Sequence, residues 1–240
     1  MVILDLGCGF GGISLSFSYE AYKVLSLDIN KALLRIAHVR KKLEKRSNVD
    51  TMVGSALNIP LADKSVDMAV VIGVLEWIPS SYPKDDPEDL QFETLKEISR
   101  VLKENGKLLL AIENRYYLGY WLGRIDHHTG LRFVPLLPRK LASFISRITR
   151  GEPYLNWTHS YWKLNEILQR AGFKVLKIFV GIPSYTLPDE IADVSNEKEV
   201  LNKLDSAKLQ KLNAIVWKML NAIKLMKLFS SNSIFLCSKL

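Results

Sequence analysis

Val2-Ile3-Leu4-Asp5-Leu6-Gly7-Cys8-Gly9-Phe10-Gly11-Gly12 opens the chain, and the fold turns on how this stretch is read. The apolar run Val2 to Leu6, stopped by glycines, reads as a buried parallel strand. A helix is expected over Phe10 to Ala21. Glycines between strand and helix allow a tight turn and let backbone N–H groups approach an anionic or polar ligand at the helix N-terminus. Such a loop is weak evidence alone. Its place between a strand and a helix gives it weight.

Working outward, Tyr22 to Asp28 (YKVLSLD) is a second strand, and Asn30 caps a helix from Lys31 to about Arg46 with Leu33, Leu34, Ala37 and Leu43 on one side. Val49 to Val53 is a short strand and Val66 to Gly73 a strongly apolar one. Pro87 opens a helix to about Leu102 with Leu95, Ile98 and Leu102 inward, Asn105-Gly106 ends it, and Lys107 to Glu113 is the fifth strand. This alternation predicts an α/β class with a parallel sheet and right-handed crossovers. The pattern breaks over 115–157. Ser160 to Ala171 then reads as a helix, Phe173 to Val180 as a sixth strand, 184–197 as a polar connection and 198–229 as lysine-rich helix. Ser233 to Ser238 is a terminal strand. The expectation is one domain, 1–240, whose sheet carries two insertions, 115–157 and 184–230.

Composition narrows the classes. The 240 residues are 48% hydrophobic and 24% charged, which excludes disorder, collagen and coiled coil. Cys8 and Cys237 are too few for a disulfide framework or a four-cysteine zinc site, so a reducing, cytoplasmic setting is expected. The first residues lack the basic stretch of a signal peptide. The longest apolar run, Met68 to Leu75, is far short of the roughly 20 residues of a membrane span. The net charge of +8 permits a nucleic acid or an anionic membrane surface as partner without requiring either.

Asp28 stands at the end of the second strand, about twenty residues after Gly7, where a carboxylate can accept hydrogen bonds from both hydroxyls of a ribose. A dinucleotide fold shares these features. The surrounding residues decide between the two. VILDLGCGFGG carries Asp5 two positions before the first glycine, and LSLDIN ends the second strand. Gly54-Ser55-Ala56-Leu57-Asn58-Ile59-Pro60-Leu61 precedes Asp63-Lys64-Ser65-Val66-Asp67, Val74-Leu75-Glu76-Trp77-Ile78 follows the fourth strand, and LQRAGF precedes the sixth. Together these segments resemble the class I S-adenosylmethionine-dependent methyltransferases, in their small-molecule, type 11-like branch, over 2–114 and 160–182 plus the final strand.

The resemblance implies a Rossmann-like seven-stranded, mostly parallel sheet in the order 3-2-1-4-5-7-6, with the last strand antiparallel. It implies S-adenosyl-L-methionine as cofactor, held by Asp5, Gly7, Cys8, Gly9, Phe10, Asp28, Ile29, Ser55, Ala56, Leu57 and Gly73. Transfer of the sulfonium methyl group by in-line displacement needs alignment above all, which can supply about 7–11 kcal/mol. There are three departures from the family. Ser55 stands where the family usually has an acid or other polar group, and Trp77 where it often has His. The family also carries a helical segment before its first strand, so either the natural chain starts upstream of Met1 or the site is open on one side.

Glu113, at the end of the fifth strand, is a candidate to hold a substrate hydroxyl or amine. His128, beside His127 in DHHTG, and His159, just before a helix, are candidate general bases with pKa values near neutrality. No metal is expected, because adjacent histidines seldom point at one ion and no HxxxH or CxxC accompanies them. The Leu209–Phe229 segment puts Leu212, Ile215, Val216, Met219, Leu220, Ile223 and Met226 on one face, with Lys211, Lys218 and Lys224 elsewhere. Such a helix packs on the domain, caps an acceptor pocket or lies against a membrane as a peripheral contact. The leading reading is a methyltransferase for a small-molecule, lipid-linked or sugar-linked acceptor. Alternatives are an RNA methyltransferase, disfavoured because no Asn/Asp-Pro-Pro-Tyr follows the fourth strand, and a non-catalytic S-adenosylmethionine-binding partner subunit. Oligomeric state is not legible.

Overall fold

The apolar runs become strands because helices cover the sheet on both faces, a burial that favours continuous over alternating hydrophobicity. In β1 (Val2–Leu6), Ile3 joins Val24, Val49 and Val70 in the core on one face, while Leu4 and Leu6 join the larger core on the other. The computed structural model describes residues 1–207, 209 and 211–240, and the side chains of all of these except 211–213.

After β1 come α1 (Gly12–Phe17), β2 (Lys23–Asp28), α2 (Lys31–Leu43), β3 (Val49–Val53), β4 (Val66–Ile72), α3 (Pro87–Val101) and β5 (Leu102–Glu113). The first insertion holds α4 (Leu118–Trp121) and α5 (Arg139–Arg150), and is followed by α6 (Tyr161–Arg170) and β6 (Phe173–Ile182). The second holds β7 (Glu190–Asp193), α7 (Glu197–Ser206), α8 (Lys211–Ala222) and α9 (Met226–Phe229), before β8 (Asn232–Lys239). Asn30, Asp86 and Ser160 cap α2, α3 and α6 by accepting backbone N–H bonds. No helix among the described residues is long and apolar enough to cross a membrane.

The sheet runs β3-β2-β1-β4-β5-β8-β6-β7, and β8 pairs antiparallel with both β5 and β6. This is the expected order with one addition. Part of the presumed polar connection, Glu190–Asp193, adds an eighth strand antiparallel to β6. Other boundaries shift for local reasons. Left-handed Gly11 (φ 77°) delays the start of α1, which ends at Phe17 where Asn48 takes the carbonyls of Ser18 and Ala21. Leu43 is exposed rather than inward, because α2 stops there. Leu102 is buried as expected but already belongs to β5.

Each insertion has a small core of its own. Val134, Ala142, Tyr154 and Trp157 form the first; Val200, Leu204, Trp217, Leu220 and Met226 form the second together with Val180 and Ile182 of β6. Two adjacent residues tie them to the end of β5. Buried Asn114 donates through Nδ2 to the carbonyls of Leu228 and Ser230 at 2.7 and 3.0 Å. Arg115 donates to the carbonyls of Pro135 and Leu137 at 2.9 and 2.7 Å and lies over the Trp157 ring. Asn114→Ala leaves two carbonyls without their donor and should cost roughly 1–3 kcal/mol in urea unfolding. A loss below about 0.5 kcal/mol, the scale of a plain surface change, would show that the tether is dispensable.

Candidate active site

At the C-terminal edge of β1, β2 and β4 lies a cavity of about 430 Å³, lined among others by Gly7, Gly9, Asp28, Ile29, Ser55, Ala56 and Gly73. The glycines serve different ends. A Cβ on Gly7 would stand 2.4 Å from a Val74 methyl, so this glycine lets the loop close on the segment after β4. A Cβ on Gly9 would meet no protein atom within 4 Å and would enter open space. Both have positive φ, 72° and 53°. Asp28 accepts the Gly9 and Asn30 backbone N–H groups, each at 2.8 Å, which holds its carboxylate at the cavity wall. Across the cavity Ser55 Oγ lies 3.0 Å from Tyr82 Oη, and Tyr82 was not evident from the sequence.

Four residues expected here do not line the cavity. Asp5 is buried beneath the loop, bonded to Ser14 Oγ, and burial pushes its carboxyl up to about 6. Cys8 is buried, and burial raises its thiol pKa. Phe10 faces solvent, and Leu57 lies in the turn held by Ser55 Oγ, which accepts its N–H.

Next to this cavity is a buried polar cluster. Tyr185 Oη donates to Glu113 Oε1 at 2.7 Å and lies 3.4 Å from Glu76 Oε1. Gly73 makes room for that phenol, since a Cβ there would stand 3.0 Å from it. Burial, then the neighbouring Glu113 charge, raises the Glu76 pKa well above the usual range. Burial opposes ionisation of Glu113 too, but His128 and Tyr185 outweigh it and hold Glu113 low. The two carboxyls are thus driven apart, Glu76 toward its neutral form and Glu113 toward its charged form. Glu113 Oε1 lies 3.5 Å from His127 Nε2, and Oε2 lies 3.5 Å from His128 Nε2. The Trp77 ring, which lines the first cavity, meets the His128 ring edge-on at 4.7 Å.

Beyond the cluster a second cavity of about 290 Å³ is lined by Glu113, by Tyr117, Tyr120, Arg124 and His127 of the first insertion, and by Tyr185, Leu209 and Trp217 of the second. The two insertions thus share one pocket with the end of β5. The inward face of α8 is only partly the one expected, since Leu220 and, just beyond the helix, Met226 are buried as expected and Val216 packs on the same core. Trp217, Leu220 and Asn221 are buried, while Ile215, Met219 and Ile223 are more than half exposed; the side chains of Lys211 and Leu212 lie outside the described residues.

A family model described as a methyltransferase domain matches residues 4–110. A methyltransferase-like protein of Schizosaccharomyces pombe is 28% identical over 215 residues, 89% of this chain and 70% of its own length. A demethylmenaquinone methyltransferase of Lactococcus lactis is 32% identical over 110 residues, 45% of this chain and 40% of its own. A solved S-adenosylmethionine-dependent methyltransferase from Methanosarcina mazei superposes with a TM-score of 0.59 at 18% identity, covering 100% of this chain and 92% of that one, and so shares the fold.

His159 is set apart from the pocket. Its Nε2 donates to Gln91 Oε1 at 2.6 Å, while Gln91 Nε2 donates to the carbonyls of Leu75 and Trp157. Burial first, then Lys163 and Arg115, lowers its pKa from 6.5 to about 3, so the ring is a neutral strut rather than a base. The unfolded chain protonates this ring below about pH 6.5, whereas the folded chain refuses the proton until about pH 3. Its contribution to stability is therefore complete above pH 6.5 and shrinks as the pH falls through that window. His159→Gln should flatten the dependence of the urea midpoint on pH between 6.5 and 4, whatever its overall stability. Unchanged slopes would mean that the ring titrates normally.

Proposed function

Since the chain belongs to the S-adenosylmethionine-dependent methyltransferase family, we propose that it methylates a small-molecule, lipid-linked or sugar-linked acceptor held beside Glu113. The observation that carries this reading is the meeting of the two cavities. Gly73 and Trp77 line the first, and Tyr185 (packed on Gly73) and Glu113 line the second. A donor in one pocket and an acceptor in the other would face each other across the end of β4.

The first cavity suits the cofactor on its own features: the carboxylate of Asp28 at its wall and the open space before Gly9. Its volume is in the range usual for small-molecule sites. When bound, S-adenosylmethionine supplies the electrophilic methyl group. Asp28 holds the ribose, and Gly9 lets the backbone close on the ligand. Trp77 forms the wall toward the acceptor. Glu113 and His128 hold the acceptor's nucleophilic atom, and the two insertions, acting as a cap, exclude water and fix its orientation.

Asp28→Ala should weaken S-adenosylmethionine binding about ten- to a hundredfold by calorimetry, from the roughly 1.5–3 kcal/mol of hydrogen bonds to a charged acceptor. An unchanged affinity in the folded variant would take Asp28 off the ribose. Thr186 lines the second cavity at an exposed position, so Thr186→Trp narrows that cavity alone. Turnover should fall at least about tenfold while cofactor affinity stays within about twofold, the signature of an interaction made only with acceptor. Parallel loss of both would mean that the pockets do not divide the work.

A further inference from the structure

Glu113, His127 and His128 bring three potential ligand atoms within 4.8 Å of one another. The separations are informative. Each imidazole Nε2 stands 3.5 Å from a different oxygen of the one carboxylate, long for a charge-assisted hydrogen bond. Two atoms that each ligate a tetrahedral ion at about 2.1 Å lie about 3.4 Å apart. Adjacent histidines seldom converge, yet here the rings lie 4.0 Å apart, tilted by 35°, and both reach the same carboxylate. The turn that carries them is pinned. Asp126 accepts from the His128 N–H and from Thr129 Oγ1, and Gly130 takes φ 72°.

A second observation concerns burial. The His128 side chain is almost wholly buried, yet among the described residues its Nδ1 has no hydrogen-bond partner, its Nε2 has only the 3.5 Å approach to Glu113 Oε2, and Glu76 Oε2 has no partner. Buried polar atoms without partners are rare and ask for an explanation. Among the described residues no lysine or arginine forms an ion pair with Glu113.

We propose that Glu113, His127 and His128 form a divalent-cation site whose remaining coordination positions face the second cavity. Two imidazoles and a carboxylate suit a borderline ion such as Zn²⁺ or Co²⁺. Resting on the methyltransferase reading above, the site narrows the acceptor to one presenting an oxygen that a cation can bind and orient.

The test needs no acceptor. Chelator-treated protein is titrated with Co²⁺ and its visible absorption followed. One equivalent should give a saturable band, and His127→Ala, at a largely exposed position, should weaken binding by at least roughly tenfold, a loss that even outer partners of a metal produce. Glu113→Gln should do the same, and His38→Ala, far from the cluster in sequence, should change nothing. Absence of a saturable band, or a band indifferent to His127→Ala in protein with unchanged circular dichroism, overturns the site. Calorimetry with S-adenosylmethionine on the metal-free protein separates the two readings. Cofactor binding without cobalt binding removes only the cation site, and the reverse removes only the methyltransferase assignment.

Discussion

Glu113, Asn114 and Arg115 leave the end of β5 toward three different partners, and the pocket depends on that divergence. Glu113 turns to Tyr185 and the histidines, Asn114 grips the carbonyls before β8, and Arg115 grips the carbonyls of Pro135 and Leu137 in the first insertion. Each is paired with groups that could not be left bare when buried. The three contacts together fix where both insertions sit relative to the sheet. A strand end so anchored is a rigid origin for a pocket whose other walls are loops and short helices.

Tyr185 joins the two halves of the site. Its hydroxyl reaches Glu113 and Glu76, and its ring fills the space opposite Gly73, which also borders the first cavity. The glycines around the two cavities thus answer to different neighbours: Gly7 to Val74, Gly73 to Tyr185, and Gly9 to open space. Only the last has the geometry of a direct ligand contact.

Much of the sheet was legible because buried parallel strands are written as uninterrupted apolar runs bounded by turn residues. The order of the strands and the terminal antiparallel strand came from the family resemblance. What escaped has identifiable causes. Glu190–Asp193 is only four residues long, with no alternation to betray an edge strand. On α8, periodicity alone favoured Ile215 and Met219, but Trp217 packs with Val200 and Leu204, and its bulk decides which side faces in. Nothing local could pair Glu76 with Tyr185, which lies 109 residues away. The same holds for His159, whose partner Gln91 is 68 residues away.

The position of β8 sets the order in which this protein can be assembled. It lies between β5 and β6, so the β6–β7 pair has no inner neighbour until residues 232–239 have been made. During synthesis, β1 to β5 can pair and enclose the first cavity while the ribosome is still adding the second insertion. The second cavity must wait, because Asn232 not only starts β8 but clasps Gly181 through a reciprocal pair of 2.9 Å hydrogen bonds. A nascent chain therefore passes through a stage with one pocket built and the other open, and β8 closes it.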